Sequence, residues 1–342
     1  MNDQSRLPIL LTMGDACGIG PEIIAKAFMT GDAAGCVVVG DVAVMRRAVR
    51  CVASLAGVAQ VPTLRDAGAL PPRVMPVLEP AGLVRGEGEF AFGRVDARAA
   101  RAAATCIEAA VRLCRSGDAA ALATAPIHKE AWHAAGLPFP GHTEMLQSLA
   151  ADAGSPPPVR MMLANPQLRT VLVTIHVSLR QAIEMVTFER VLETLQIAHR
   201  EALGRGGRKP RIAVAALNPH AGEGGLFGDE EIRHIAPAIE AARAQGIDAS
   251  GPYPPDTVFM RARHARGHAG AFDVVVAMTH DHGLIPVKYL GVEHGVNVTL
   301  GLPFVRTSPD HGTAFDIAGT GRADPRSLVA AIRMARQLAA PA

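Results

Sequence analysis

The chain has 342 residues, of which 49% are hydrophobic, enough to bury one large core or two cores facing each other across a cleft. Its 34 basic and 32 acidic residues leave a formal charge of only +2, which argues against a nucleic-acid surface or a polybasic membrane patch and makes any bound anion a small one. Five cysteines, Cys17, Cys36, Cys51, Cys106 and Cys114, contain no C-x-x-C pair, and their odd number fits a reducing cytoplasm better than a disulfide framework. The opening MNDQSRLPILLTMGD has no basic leader region or small-residue cleavage site, and nowhere do about 18 apolar residues run together, so a soluble, unexported protein is expected.

Short β-branched runs alternate with longer helical patterns, the signature of parallel strands joined by crossover helices. A strand is predicted at Ile9–Met13, followed by a helix with Pro21 in its first turn that runs to about Phe28, and a second strand at Cys36–Gly40. The proline-rich stretch Pro71–Pro80 reads as a surface loop, as does Pro156–Pro158. The alanine-rich segment Asp96–Arg115 is a helix leading into a strand at Ala119–Thr124. Further strands are predicted at Thr170–Ile175 and Arg211–Ala216, then a helix from Asp229 to Gln245, capped by Asp229 and closed by Gly246. Strands at Phe272–Met278 and Val296–Leu300 follow, and Asp324-Pro325 supplies a cap and a first-turn proline for the last helix. No repeat period appears, and no break in composition marks a domain boundary.

Several predicted strands run straight into a polar turn that bears histidine. ALATAP leads to His128, VLVTI to His176, IAVAALNP to His220, and VVVAMT to His280-Asp281-His282. In an open parallel sheet ligands bind beyond the carboxyl ends of the strands, so these side chains can converge although they lie far apart in sequence. Imidazole suits zinc, cobalt, nickel or iron, and an added carboxylate extends the choice to manganese or magnesium. Against this stands the plain alternative that histidine is common in loops and that any one of the 13 is structural or solvated. The Gly-rich GDACGIGPE is only part of a dinucleotide fingerprint and reads equally as a strand-to-helix turn.

At these residues the sequence resembles the 4-hydroxythreonine-4-phosphate dehydrogenase family. The matching blocks are TMGDACGIGPE at Thr12–Glu22, ATAPIHK at Ala123–Lys129, PGHTE at Pro140–Glu144, NPHAGE at Asn218–Glu223 and PPDTVF at Pro254–Phe259. THDHGLIPVK at Thr279–Lys288 and GVNVTLGLPFVRTSPDHGTAFDIAG at Gly295–Gly319 complete a resemblance that covers nearly the whole chain. It implies an α/β fold of two lobes, of the isocitrate and isopropylmalate dehydrogenase type, with a cleft between them. Residues 1–125 with 300–342 would form the NAD-associated lobe, and 126–299 the lobe for metal, substrate and dimerisation.

The resemblance further implies a homodimer with shared active sites, in which His176, His220 and His280 hold a divalent metal such as zinc, magnesium, cobalt or manganese. His142, Thr143, Lys288, Asn297 and Arg306 would bind a small phosphorylated hydroxy acid, with Lys288 and Asp281 as catalytic groups. DHGTAFDIAG resembles the adenosine-binding HGSAPDIAG of isopropylmalate and isocitrate dehydrogenases, which puts NAD rather than NADP on His311, Gly312, Thr313 and Ala314. The implied reaction is oxidation with decarboxylation of 4-phosphohydroxy-L-threonine.

The family pattern is not matched everywhere. Thr279 and His282 replace the tyrosine and glutamine of YHDQG, and Ala16-Cys17 replaces Pro-Ala. GGLFGDEE at Gly224–Glu231 and the PPDTVFM after it resemble the branch acting on D-threonate and D-erythronate 4-phosphates, so that activity is the alternative. A branch oxidising an aromatic dihydrodiol tends to lose the GHTE block, which this chain keeps. A metallohydrolase would have no use for an adenosine segment, and a sensor lacking catalysis would be expected to lose metal histidines.

Overall fold

The computed structural model describes residues 7–53, 56–71, 73–84, 90–152, 154–204 and 208–340. Residues 1–6, the start of the segment read above as lacking a leader, lie outside the described residues. Twelve strands are formed: β1 (Ile9–Thr12), β2 (Cys36–Val39), β3 (Gly57–Gln60), β4 (Val74–Leu78), β5 (Ala121–Thr124) and β6 (Arg160–Ala164), then β7 (Arg169–Leu172), β8 (Ile212–Ala215), β9 (Ala249–Tyr253), β10 (Val274–Ala277), β11 (Val296–Leu300) and β12 (Val305–Pro309). Residue contacts divide the chain into two compact units, Met1–Pro158 with Leu302–Arg336, and Val159–Gly301 with Gln337–Ala342.

In the first unit the strands run β3-β4-β2-β1-β5-β12, all parallel. β1, β2 and β5 are buried along their whole length, so they read as unbroken apolar runs, as a strand covered on both faces must. The helix Ala97–Arg115 starts as expected, with the Asp96 carboxylate accepting from Arg98 N at 2.8 Å. The segment 126–158 packs with this unit: Arg115 donates to Leu149 O at 2.7 Å and pairs with Asp152. Pro21 lies in the first turn of the helix Gly20–Met29, and Asp324 Oδ1 accepts from Arg326 N at 2.9 Å at the head of the helix Arg326–Ala339.

β4 overturns the reading of Pro71–Pro80 as a loop. Met75 and Val77 are fully buried, and Pro76 stands in register with Ala59 of the edge strand β3, before pairing with β2 begins at Val77. The missing N–H therefore falls outside the β2 ladder, and burial of the flanking side chains decides the conformation. β3 carries the exposed-to-intermediate pattern of an edge strand and gave no apolar signal.

In the second unit the order is β11-β6-β7-β10-β8-β9. β7, β10, β8 and β9 are parallel, whereas β6 is antiparallel to both β7 and β11, a hairpin that the alternating pattern did not announce. The core joins Leu163, Leu172, Val275, Ala277, Leu284 and Val287 from the sheet and the helix His280–Tyr289. The helix predicted from Asp229 is in fact a π-helical turn at Glu231–Ile235 followed by an α-helix at Ala236–Ala244. Pro237 cannot donate within a regular α-helix, and Asp229 pairs with Arg233 at 3.0 Å instead of capping. Gly246, at φ 78°, closes the helix as expected.

Candidate active site

Two of the strand-end histidines come together in the second unit. β7 and β10 lie in parallel register, and their hydrogen bonding continues past both strands, with Val173 N donating to Ala277 O and Thr174 N to Met278 O. His176 and His280 each follow two residues beyond the Thr174–Met278 contact, and their rings lie 5.7 Å apart. His176 sits at φ 45°, a left-handed conformation that costs about 1–3 kcal/mol for a side-chain-bearing residue and turns it out of the strand line. His280 begins the helix His280–Tyr289, and its Nδ1 lies 2.7 Å from Asp281 Oδ1. A carboxylate on Nδ1 leaves Nε2 as the lone-pair nitrogen of the neutral ring.

That helix packs unusually close to the sheet. A Cβ added at Gly283 would lie 2.3 Å from Leu172 Cδ2, and Thr170 Oγ1 donates to Gly283 O at 3.0 Å.

His220 follows β8 on a turn in which His220, Ala221, Gly222, Glu223 and Gly224 all have positive φ, from 44° to 78°. The turn is held from below: Leu217 N and Asn218 N each donate to Glu231 Oε1 at 2.8 Å. Among the described residues no three His, Cys, Asp or Glu side chains lie close enough to hold a metal ion, so His220 is not grouped with His176 and His280. His128, in the first unit, is an N-cap whose Nδ1 accepts from Ala131 N at 3.4 Å and whose ring stacks on Phe315 at 4.2 Å. The strand-end rule gathers two of its four histidines and gives the fourth a capping task.

The first unit holds a second cluster. Arg306, on β12 beside β5, is buried and donates from Nη2 to Thr124 Oγ1 at 2.7 Å. Burial pushes its guanidinium down to about 10. His142 opens the helix His142–Leu149, tilted against Trp132 at 6.3 Å, and its Nε2 is buried with no hydrogen-bond partner among the described residues. Burial, helped by the Arg306 charge, holds its imidazole well below the usual histidine range, so it is neutral at pH 7. Thr143, next on the same helix, is half-buried. A neutral histidine and a buried guanidinium suit an anionic ligand; Thr124 lies within the ATAPIHK block but is not among the predicted site residues, and Trp132 lies outside every matching block.

The segment after β12 packs against the turn that follows β1. His311 and Gly312 are exposed, Thr313 is buried, and Ala314 has φ 41°. Thr313 O accepts from Ile19 N at 3.0 Å, and a Cβ on Gly18 would meet Thr313 Cβ at 2.9 Å. GDACGIGPE is thus a strand-to-helix turn whose glycine admits the 311–314 segment. Cys17 in that turn is buried and its thiol is raised to about 12 by desolvation and then by Asp15, which leaves it inert. In the second unit, Lys288 is exposed near the end of its helix, and Asn297 is half-buried on β11 opposite Leu163.

The family model described as pyridoxal phosphate biosynthetic protein PdxA matches residues 32–335. A 4-hydroxythreonine-4-phosphate dehydrogenase of Beijerinckia indica is 53% identical over 98% of this chain and 96% of its own length. A D-threonate 4-phosphate dehydrogenase of Pectobacterium atrosepticum is 44% identical over 97% of this chain and 99% of its own. The crystal structure of 4-hydroxythreonine-4-phosphate dehydrogenase from Klebsiella pneumoniae superposes with a TM-score of 0.88 at 43% identity, covering 99% of each chain. The chain therefore belongs to the PdxA family, and with it to the oxidoreductases that act on a CH–OH group.

Proposed function

We propose that this protein oxidises and decarboxylates a phosphorylated four-carbon hydroxy acid, using NAD and a divalent metal. The observation that carries the reading is the convergence of His176 and His280 at the ends of two adjacent parallel strands, 5.7 Å between rings, with Asp281 on the far nitrogen of His280. This donor chemistry fits a divalent metal: two imidazoles side by side, one oriented by a carboxylate, as metal-binding histidines usually are. His176, His220 and His280 would hold the ion, which when bound would polarise the oxidised C–O bond and stabilise the charge left as carbon dioxide departs. Zinc, magnesium, cobalt and manganese all suit this set.

The remaining residues then have separate tasks. Arg306, a planar fork fixed by Thr124, and neutral His142 with Thr143 bind the anionic end of the substrate. Lys288 and Asn297 bind it as well, and Lys288 with Asp281 handles protons. NAD, in preference to NADP, lies on His311, Gly312, Thr313 and Ala314, where the exposed edge His311–Gly312 is backed by the pinned Thr313 carbonyl. His220 is assigned to a site completed by the second subunit of a homodimer. Supporting this, ten of the thirteen exposed large hydrophobic side chains among the described residues belong to the second unit, including Leu179, Leu226, Phe227, Ile285 and Tyr289.

The favoured substrate is 4-phosphohydroxy-L-threonine, giving 3-amino-2-oxopropyl phosphate. D-threonate or D-erythronate 4-phosphate, giving dihydroxyacetone phosphate, is the second reading, favoured by GGLFGDEE and by the relative from Pectobacterium atrosepticum. Steady-state kcat/KM for the three compounds decides between them. The compound with the dominant value names the branch, and no turnover with any of the three would refute the proposal.

A further inference from the structure

The turn that carries His220 is an unusual piece of backbone. Three of its left-handed residues, His220, Ala221 and Glu223, bear a Cβ that disfavours this conformation, so something outside the turn must impose it. The constraint comes from the π-helical turn that interrupts the predicted helix at Glu231–Ile235. Its first residue, Glu231, is 3% exposed, and its carboxylate is consumed by the turn: Oε1 accepts from Leu217 N and Asn218 N, both at 2.8 Å, and Oε2 from Asn218 Nδ2 at 2.9 Å. Glu230 Oε2 takes the same amide at 2.6 Å. A Cβ on Gly222 would meet Glu231 Oε2 at 2.8 Å, so the carboxylate also lies directly against the left-handed run.

We propose that Glu231, assisted by Glu230, is a positioning residue that fixes the left-handed turn and thereby the direction in which His220 is presented to the metal. The proposal rests on the reading of His220 as a metal ligand. Glu231 acts through the turn and not on metal or substrate; it satisfies the backbone N–H groups of Leu217 and Asn218, which precede Pro219 and the histidine, and closes off the extended alternatives of the chain there. The GGLFGDEE motif then has a mechanical meaning, because its two glutamates clamp the NPH turn that precedes it.

The test is a Co2+ titration of the full, metal-free chain, followed by visible absorption, with Glu231→Ala, Glu231→Gln and His220→Ala beside the wild type. Glu231→Ala is expected to unfold cooperatively in urea yet bind Co2+ about 10- to 100-fold more weakly, as loss of a ligand's support usually does, with an unchanged absorption band at saturation. Amide exchange at Leu217 and Asn218 is expected to quicken. Glu231→Gln keeps an oxygen for both backbone N–H groups but turns an N–H toward Asn218, and is expected to be about tenfold weaker than wild type. Wild-type affinity in folded Glu231→Ala, with His220→Ala impaired, would overturn the proposal alone. Wild-type affinity in His220→Ala would instead remove the ligand reading beneath it, and the proposal with it. Should Glu231→Ala fail to fold, Glu231→Gln decides, and Co2+ affinity equal to the wild type's overturns the proposal.

Discussion

Replacing Gly283 by alanine probes the close packing that sets the two strand-end histidines side by side. The new Cβ would lie 2.3 Å from Leu172 Cδ2 and 3.2 Å from Ala277 Cβ, against an optimal carbon separation of about 3.5–4 Å. Leu172 is 1% exposed within the core of the second unit, and close-packed cores leave a side chain little room to move. The helix His280–Tyr289 must therefore lift by roughly 1 Å, carrying His280 with it. Overpacking of this kind costs about 1–3 kcal/mol, and the better helix propensity of alanine offsets up to about 1 kcal/mol. A net loss of about 1–2 kcal/mol is expected, read as a lower urea midpoint at constant slope. Leu172→Ala removes the clashing atoms, so a double-mutant cycle is expected to show a favourable coupling of about 1 kcal/mol or more. A Gly283→Ala protein at least as stable as the wild type, with no coupling to Leu172, would refute the packing argument.

Two pH effects follow from buried charge. Burial raises the Asp273 carboxyl, but hydrogen bonds from Arg208 and Arg211 at 2.6–3.1 Å outweigh it and hold the group well below the usual carboxylate range. Its folded pKa is depressed, so its contribution is full above about pH 4 and is lost as pH falls toward the folded value; Asp273→Asn is expected to cost about 2 kcal/mol at pH 7 and to flatten the acid limb of the stability curve. A variant whose acid unfolding tracks the wild type's would contradict this. For His142 the depressed pKa means that the folded state binds fewer protons, so it withdraws stability as pH drops below about 6.5. His142→Gln is expected to show a shallower loss of stability between about pH 6.5 and 5, measured by urea midpoints, and an equal slope would count against a buried neutral ring.

Much of this layout was legible in the sequence because parallel strands buried on both faces advertise themselves as apolar runs. β1, β2, β5, β8 and β10 were found that way, and of the four histidines that the strand-end rule marked, the structure sets His176 and His280 side by side. The same rule selected His128, where a strand leads into a short helix and the imidazole caps it; only the neighbouring Phe315 and Ala131 reveal the difference. β4 was hidden by Pro76, whose local preference was overridden by burial, and β3 by its edge position. The left-handed turn at His220 has no signature beyond its glycines. The partners that fix it, and Thr124 beneath Arg306, are separated from what they hold by 13 and 182 residues, distances over which no local pattern operates.

The most direct test of the proposed chemistry is to strip the enzyme with a chelator, add NAD and 4-phosphohydroxy-L-threonine or D-threonate 4-phosphate, and follow NADH absorbance before and after returning a divalent cation. NADH formation that is absent from the stripped protein and restored by the cation is the expected result. Full NADH formation by the stripped protein, or none with either compound after the cation is returned, would contradict it.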